Sequence, residues 1–295
     1  MIRIAFLTAS CMIEGTPGAR SDAWEHTLEF AAIRPACEAA GIELVEAIWD
    51  DPGFDPAAFD AIVVGTCWDY MQQPETFLAA LDRFAAVQPV LNPIETIRWN
   101  TDKGYLAELE TGGIPTIPTL WADRADAAAV ARAFAAFPES DRLVIKPRVG
   151  GGAWRQARVS RGEALPPADE MPPGACLIQP FLGAAEREGE TTLLFFDRVF
   201  SHALVKRPKP GDYRTQSMYG ATEAAVEPDG EALQTAAAAL DAVEGELLYA
   251  RVDLMRRDDG RYAVMELELI EPYYYPEQGP ELGRLFAAGL KRLAG

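Results

Sequence analysis

Three carboxylates near the C-terminus lie on two neighbouring predicted strands. Strand-forming runs, residues 247–257 and 261–270, flank an Asp-Asp-Gly segment at 258–260, and Asp-Gly is a favoured two-residue hairpin turn. With Asp259-Gly260 as the turn, Asp253 faces Glu266 and Arg251 faces Glu268. Because side chains alternate along a strand, we expect the opposite face to hold the core residues Val252, Leu254, Met265 and Leu267.

This pattern indicates a metal site. Directly opposed carboxylates destabilise a strand pair by up to about 1 kcal/mol, and a divalent cation removes the repulsion. Oxygen ligands without histidine or cysteine favour Mg²⁺ or Mn²⁺. We therefore predict Asp253, Glu266 and Glu268 as metal ligands. The alternative is a solvated acidic face on which Arg251 balances one charge.

Two lysines and a glycine run indicate phosphate binding. Lys146 ends a predicted strand, residues 143–147, and Gly150-Gly151-Gly152 follow; glycines let backbone N–H groups approach phosphate oxygens. A plain hairpin turn is the alternative, and neither a Walker A loop nor the kinase motifs occur. Lys103 falls in the first turn of a predicted helix, where cations are unfavourable. That placement suggests a phosphate partner, although a solvated lysine is the common case.

Composition restricts the class of protein. The chain has 295 residues, of which 49% are apolar and 24% charged, with a net charge of −18. Such a charge disfavours binding to nucleic acid and to anionic membranes, and no apolar run reaches the roughly 18–20 residues that span a bilayer. Four scattered cysteines and the absence of a signal sequence predict reduced thiols in a cytoplasmic protein. Only two histidines are present, so a Ser-His-Asp triad is poorly supported.

The elements that position these residues begin with alternating strands and helices. We predict strands over residues 2–9, 42–49, 61–66 and 90–92, and helices over 23–40, interrupted at Pro35, and 74–87. This order indicates a parallel α/β sheet covered on both faces. Ligands bind beyond the carboxyl ends of such strands, which makes Ser10, Trp68, Asp69 and Tyr70 candidates for substrate contacts.

The remaining chain reads as α+β. Asn100 or Thr101 is predicted to cap a helix to about residue 111, and Asp123 to cap a second helix to about residue 137. Strands follow over 143–147 and 175–182, and a hairpin turns at Asp197-Arg198. Residues 207–224 form a loop long enough to act as a lid. Helices over 229–244 and 280–293 complete the prediction.

In this order the motifs resemble the ATP-grasp superfamily over nearly the whole chain. The resemblance implies an α/β preATP-grasp domain, residues 1–95, followed by two α+β lobes that clamp ATP. These are a central lobe with the glycine-rich loop, residues 96–184, and a C-terminal lobe with the Mg²⁺ site, residues 185–295. ATP and Mg²⁺, or Mn²⁺ in its place, are the implied cofactors.

The resemblance also implies roles for individual residues. Lys103 and Lys146 would contact ATP phosphates, under a loop made by Gly150, Gly151 and Gly152. The adenine hinge is similar to Gln179, Pro180, Phe181 and Leu182, and the ribose carboxylate to Glu186 or Glu190. Lys206 and Arg214 match cations that meet the γ-phosphate and the acyl phosphate. The Mg²⁺ ligands match Asp253, Glu266 and Glu268, although many members carry asparagine at the last position.

Within the superfamily the chain looks like the glutathione-synthetase-like ligases, and in particular the cycloserine-pathway (O-ureidoserine) cyclo-ligases. Three segments carry this likeness: Thr66-Cys67-Trp68-Asp69-Tyr70, Arg98-Trp99-Asn100-Thr101-Asp102-Lys103 and Glu266-Leu267-Glu268-Leu269-Ile270-Glu271-Pro272. The resemblance implies a small-molecule carboxylate that is activated as an acyl phosphate and attacked by an amine, with Arg251 as a candidate to stabilise the oxyanion. Ring closure and intermolecular ligation both stay open.

Two other functions stay open at this stage: a ligase that adds amino acids to peptides or proteins, and a non-catalytic nucleotide-binding scaffold. Tyr273 and its two tyrosine neighbours, with Trp68, either form substrate walls or pack between lobes. Subunit number, including a homo-oligomer, is left open. We expect Asp253→Asn or Glu266→Gln to abolish ADP formation.

Overall fold

The computed structural model describes residues 1–295, and its N-terminal part is a four-stranded parallel sheet. The strands are β1 (Ile2–Thr8), β2 (Ile42–Ile48), β3 (Ala61–Val64) and β4 (Val90–Leu91), in the order β2-β1-β3-β4. Alternate residues of β1 pack against α1 (Trp24–Ala39) on one face and α2 (Pro74–Ala85) on the other. This confirms the predicted α/β arrangement, in which both faces of the sheet are buried.

Helix α1 runs without interruption through Pro35, so the predicted break is wrong. Proline removes one N–H, which leaves the carbonyl of Ala31 without its helical partner. Ala31 is exposed, so water can donate the missing hydrogen bond to this carbonyl. The other side of α1 packs closely on the final helix, α8 (Leu282–Ala294); a Cβ on Gly283 would lie 2.7 Å from the carbonyl oxygen of Ala32. No helix in the structure combines the length and apolarity that crossing a membrane requires.

The helix predicted to start at Asn100 or Thr101 is wrong, because both residues lie in the last turn of a preceding helix. The segment forms α3 (Ile94–Thr101) and α4 (Tyr105–Thr111), with Lys103 in the turn between them. Asn100 is buried and bridges two backbone groups of the C-terminal sheet, at 2.7 Å to the oxygen of Leu267 and 2.8 Å to the nitrogen of Leu269. This anchoring ends α3 and sets the position of Lys103.

The middle part is an antiparallel sheet. Its strands are β5 (Leu120–Ala122), β6 (Arg142–Pro147), β7 (Ala157–Ser160) and β8 (Cys176–Pro180), in the order β5-β8-β6-β7. Helix α5 (Ala127–Ala136) packs on one face. Its cap is Asp126, which accepts from the nitrogen of Ala129 at 2.8 Å, so the prediction of Asp123 is wrong. Strand β5 extends to Ala122 and pairs there with Cys176, which delays the start of the helix.

The C-terminal part is a five-stranded antiparallel sheet in the order β11-β10-β9-β12-β13. The strands are β9 (Glu190–Phe196), β10 (Val199–Arg207), β11 (Thr222–Val226), β12 (Tyr249–Arg256) and β13 (Tyr262–Glu268). The predicted hairpin between β9 and β10 is confirmed, with Asp197 and Arg198 at φ 51° and 60°. Helices α4 and α7 (Gly230–Asp241) cover one face, and a short helix α6 (Ala184–Arg187) precedes β9. The other face packs against α8 at one end.

The hairpin of β12 and β13 has the predicted register at the carboxylates and a different one at its tip. Asp253 pairs with Glu266 and Arg251 with Glu268, as predicted. Beyond them the register shifts by one residue, and Met265 is the extra residue of the bulge. The turn carries three residues, 258–260, not two. The bulge removes Met265 from the predicted core face, because an unpaired residue loses the strict alternation of the ladder.

Candidate active site

A cleft separates the middle sheet from the C-terminal sheet. We call it the glycine-loop cleft, because Gly150–Gly152 cover it. One end is apolar and is closed by the strand end at residues 179–182, together with Ile117, Val144, Met255 and Met265. The other end is polar and holds Lys103, Lys146, Glu190, Arg214 and Glu266. Such a gradient from apolar to charged suits a ligand with a flat apolar group and a highly charged tail.

The apolar end offers a free backbone donor. The N–H of Phe181 is used by the carbonyl of Arg142 at 2.9 Å, whereas the N–H of Leu182 has no hydrogen-bond partner in the protein. The side chain of Gln179 is held by Thr119 at 3.0 Å. Leu182 therefore presents one unpaired donor to the apolar end of the cleft, where buried backbone groups normally find a partner.

The glycine loop needs its glycines at two positions. Gly150 and Gly152 have φ of 152° and 57°, values that side chains rarely allow, and a Cβ on Gly150 would lie 3.0 Å from Pro147. The ammonium group of Lys103 donates to the carbonyl of Gly150 and so ties the loop to the turn after α3. Burial lowers the pKa of Lys146, and nearby Lys103 contributes to the same shift.

Each carboxylate of the predicted metal group is held by a cation. One oxygen from each of Asp253, Glu266 and Glu268 lies within 4.8 Å of the others. Lys103 lies 2.9 Å from Glu266, and Arg251 pairs with Glu268. Asp253 accepts from Lys206 at 3.3 Å, from Arg251 at 3.0 Å and from Thr192 at 2.6 Å. An all-oxygen set of this spacing fits a hard divalent cation. Without a metal, the three basic side chains balance the negative charge of the carboxylates.

The three carboxylates differ in their protonation. Burial opposes ionisation of Asp253, but Arg251 and Lys206 bring its pKa to about 2. Burial also opposes ionisation of Glu266, and Lys103 with Lys146 lowers its pKa below the ordinary value. Burial raises the pKa of Glu268 to about 7 despite Arg251. The group therefore holds two firm negative charges and a third that titrates near neutral pH.

A second cavity lies on the other side of the carboxylates. We call it the tyrosine chamber, after Tyr273 and Tyr275 in its wall. It shares residues with the glycine-loop cleft: Gly151, Gly152, Glu190, Gln216, Met265 and Glu266. The remaining charged lining comes from the N-terminal part and the C-terminal sheet, and comprises Arg20, Asp22, Glu25, Lys206, Glu223, Arg251, Asp253, Glu268 and Glu271. The two cavities thus meet at the carboxylate group.

Two loops reach from the lobes to the N-terminal part. In the lid, residues 208–221, Ser217 donates to the carboxylate of Glu25 on α1. In the glycine loop, the N–H of Gly151 faces the sulfur of Met71. Arg214 does not point freely into the cleft, since Asp212 holds it at 2.8 Å and it stacks 3.7 Å from the ring centre of Tyr219. Both loops are closed over the cavities in this state.

The two predicted ribose carboxylates occupy different places. Glu190 is buried, lines both cavities, pairs with Lys206 and accepts from Thr215 at 3.0 Å. Glu186 pairs with Arg142 at 2.7 Å outside the lining of either cavity. The position of Glu190 is therefore the one that can reach a ligand in the cleft.

Of the predicted substrate residues, some line a cavity of the site and others do not. Trp68 and Tyr273 line the tyrosine chamber, and their rings meet edge to face at 6.1 Å. Tyr70 is buried beside a smaller adjoining cavity that also contains Lys103. Asp69 accepts from the indole of Trp49 at 2.8 Å, and Ser10 is exposed; neither lines a cavity of the site.

Sequence reasoning missed several chamber residues, chiefly Arg20, Asp22, Glu25 and Glu271. The first three follow β1, at the carboxyl end of a parallel strand. The rule that selected Ser10 could have extended to them, since the loop after β1 runs to residue 23. Glu271 lies three residues beyond Glu268 and continues the acidic strand past its last paired position.

Two lobes that enclose a glycine-covered cleft beside a carboxylate group define an ATP-grasp ligase. The comparisons agree. A family model described as the N-terminal domain of D-cycloserine synthetase DcsG matches residues 4–92. The cycloserine biosynthesis protein DcsG of Streptomyces lavendulae is 33% identical over 251 residues, which cover 80% of this chain and 84% of that protein. The chain therefore belongs to the DcsG family of ATP-grasp ligases.

Solved structures give the same fold. The crystal structure of D-cycloserine synthetase DcsG superposes with a TM-score of 0.85 at 29% identity, covering 99% of this chain and 100% of that one. The ATP-grasp ligase PsnB gives 0.64 at 19% identity, covering 98% of both chains. D-alanine–D-alanine ligase from Bacillus anthracis gives 0.64 at 16% identity, covering 99% of this chain and 95% of that one. The last two likenesses concern the fold alone.

Proposed function

We propose that this protein is a Mg²⁺- and ATP-dependent ligase that activates an amino-acid-like carboxylate as an acyl phosphate and closes a ring by C–N bond formation. One observation carries the proposal: the glycine-loop cleft and the tyrosine chamber meet at Glu266, whose carboxylate lies beside those of Asp253 and Glu268. A γ-phosphate in the cleft and a carboxylate in the chamber would thus face each other across the group that neutralises them. The name of the relative from Streptomyces lavendulae supports the cyclising reaction.

The glycine-loop cleft supports the nucleotide assignment. Adenine would lie in the apolar end between Val144, Met255 and Met265, with the free N–H of Leu182 as its donor. Glu190, which lines the cleft, would bind the ribose. Lys103, Lys146 and the glycine loop surround the polar end, where they would bind the phosphates.

Asp253, Glu266 and Glu268 would hold Mg²⁺, and Mn²⁺ is a competent substitute for such oxygen ligands. The metal would neutralise charge on the phosphates during transfer. Its arrival would release Lys103, Lys206 and Arg251 from the carboxylates that hold them now. Arg251 would then be free to bind the substrate carboxylate and to stabilise the oxyanion formed when nitrogen attacks, with Lys206, still paired with Glu190, beside it. The lid, with Arg214, would exclude water from the acyl phosphate.

The tyrosine chamber supports an amino-acid-like substrate. Glu25, Glu223 and Glu271 contribute acidic groups for an ammonium, and Arg251 a basic group for a carboxylate. Trp68 and Tyr273 would flank the carbon chain. We also propose that the chain divides into three domains at about residues 95 and 184. The presence of one sheet in each part supports this division. A small, zwitterionic substrate further supports a cytoplasmic biosynthetic role.

The test is phosphate and ADP release by the purified protein with Mg²⁺, ATP and the two enantiomers of O-ureidoserine, with mass spectrometry of the product. We expect stoichiometric ADP and a cyclic product that lacks the free carboxylate. Common amino acids and a short acidic peptide form the comparison panel. Nucleotide binding without turnover of any member would contradict the proposal, and turnover of the peptide alone would replace it with peptide ligation.

A further inference from the structure

The segment after β13 turns its tyrosines alternately toward two sides. Tyr273 and Tyr275 line the tyrosine chamber, whereas Tyr274 is 1% exposed and packs edge to face on Phe196 in the core, with ring centres 5.2 Å apart. Tyr275 has φ 49°, a left-handed conformation that is unfavourable for a bulky residue. Such a conformation persists only where surrounding contacts hold it.

Those contacts come from two buried side chains that lie outside both cavities. The N–H of Tyr274 donates to the carboxyl of Glu29 on α1 at 2.7 Å. The carbonyl of the same residue lies 2.9 Å from Nε2 of His202 on β10. Glu29 is fully buried and His202 is 6% exposed. Elements far apart in sequence thus hold both polar backbone groups of one residue.

Burial disfavours the charged form of both side chains of this clamp. Complete burial raises the pKa of Glu29 well above its ordinary value, and burial lowers the pKa of His202 to about 4. Nε2 of His202 faces a carbonyl oxygen, so it must carry the proton of the neutral ring and donate it. Nδ1 is then unprotonated and accepts from the hydroxyl of Ser201 at 2.9 Å. The backbone of Gly279 packs closely on the ring, since a Cβ added there would lie 2.4 Å from it. This close packing also fixes the position of the ring.

The clamped segment contacts the charged side chains of the site. The ring centre of Tyr275 lies 5.8 Å from Nζ of Lys206 and 5.7 Å from the guanidinium of Arg251. Tyr273 packs edge to face on Tyr275 at 4.8 Å and reaches Trp68 on its other side. A shift of the backbone at Tyr274 would therefore move an aromatic wall of the chamber and the neighbours of two cations.

We propose that Glu29 and His202 are positioning residues, which hold the peptide groups of Tyr274 so that Tyr273 and Tyr275 keep the shape of the substrate chamber. The inference rests on the proposed function only in assigning the chamber to the carboxylate substrate. It concerns the acceptor and donor that these side chains provide, not their charge. A neutral replacement that keeps the hydrogen bond must therefore preserve the effect.

The test compares Glu29→Gln, which keeps an acceptor of the same shape, with Glu29→Leu, which does not. We expect Glu29→Leu to raise the KM for O-ureidoserine about tenfold, the usual effect of one lost buried hydrogen bond. The Kd for Mg²⁺-ADP should stay within about twofold in both variants, because the adenine end lies across the carboxylate group. Glu29→Gln should keep KM within about twofold of the parent.

Hydrogen exchange provides a readout that needs no turnover. Glu29→Leu should speed amide exchange in the peptide that covers residues 272–279 while leaving β1 protected. Glu29→Gln should leave exchange unchanged in both segments. If Glu29→Leu does not fold, His202→Gln, which retains a donor, and His202→Leu form a second pair with the same expectations. An inactive parent enzyme would overturn the proposed function, whereas the exchange data would still decide the clamp. Uniform loss of protection with an unchanged KM would overturn the clamp.

Discussion

Nζ of Lys103 lies 2.9 Å from Oε1 of Glu266, so a cation that we assign to ATP phosphate is held by a residue that we assign to Mg²⁺. Asp253 likewise holds Lys206 and Arg251, which we assign to the substrate carboxylate and the oxyanion. Each ion pair must open before metal and nucleotide bind. The cost of opening is recovered only when both arrive, because released cations then meet phosphate and released carboxylates meet metal.

Lys103→Met should therefore affect the two ligands in opposite directions. We expect Mn²⁺ alone to bind about tenfold more tightly, because one competing positive charge beside Glu266 is gone. Mg²⁺-ADP should bind more weakly, because a phosphate contact is lost. Electron paramagnetic resonance of free Mn²⁺ and calorimetry with ADP measure the two effects. Lys291→Met, at an exposed site on α8, is the control, and weaker Mn²⁺ binding by the Lys103 variant would contradict the assignment.

Glu266→Gln is the cleaner test of the metal group. Both Glu266→Gln and Asp253→Asn should reduce ADP formation about a thousandfold or more. Asp253 is 1% exposed and holds two basic side chains, so its amide variant should also lower the unfolding free energy by about 3 kcal/mol. The side chain of Glu266 is 20% exposed, and its variant should lose about 1 kcal/mol or less. Urea unfolding separates the two, and full turnover by Glu266→Gln would remove the metal assignment.

Ser217→Ala should loosen the lid. The hydroxyl of Ser217 donates to Glu25 and joins the lid to α1. Its loss removes one contact that holds the lid in place, so trypsin cleavage after Arg214 should become about fivefold faster, as expected for one hydrogen bond. Ser160→Ala, on β7, is the matched control. Equal cleavage rates for both variants would mean that other contacts hold the lid closed.

The buried histidine at position 202 should make the fold acid-sensitive. Its pKa falls from 6.5 to about 4 because burial disfavours the charged ring. Below pH 6.5 the unfolded chain takes up a proton that the folded chain does not, so stability present above pH 6.5 is lost as the pH falls toward 4. The loss from this group is at most about 3 kcal/mol. Urea unfolding between pH 7 and 4.5 should show a shallower decline for His202→Gln, and parallel curves would contradict this.

Two glycines with similar backbone angles should differ in their tolerance to alanine. Gly189 has φ 86°, and a Cβ there would lie 2.4 Å from the carbonyl oxygen of Lys206. Gly162 has φ 82° and open space around it. We expect Gly162→Ala to cost about 1 kcal/mol from the backbone angle alone, and Gly189→Ala about 3 kcal/mol with the clash added. Thermal unfolding measures both. Because Gly189 precedes Glu190, its variant should also weaken ADP binding.

The sequence was informative where local chemistry decides structure. The strand pattern placed Asp253 opposite Glu266, and this pairing holds because the extra residue Met265 compensates for a turn one residue longer than predicted. The glycine run after Lys146 marked the loop. In both cases the signal lies within a few residues. The DcsG-family match and the ATP-grasp structures confirm the fold class and the kind of enzyme inferred from the order of these motifs.

What sequence reasoning missed depends on contacts between distant segments. Asn100 ends α3 because it bonds to a strand 167 residues away, and no local pattern reveals that. Glu25 belongs to the chamber because α1 begins beside the lid. Strands β5 and β7, of three and four residues, are too short to show a period. The roles of the individual site residues remain predictions that the variants above can test.

The bulge at Met265 has a consequence for how this hairpin can change. The extra residue Met265 lies in the ladder between Glu266 and the tip. We therefore expect the spacing of Asp253 and Glu266 to be independent of the length of the turn at 258–260. Insertions at Asp258 or Asp259, both exposed, can be accommodated at the tip while the ligand spacing stays fixed. This tip is thus the natural place to attach a fluorophore or an affinity tag without disturbing the chemistry a few residues below.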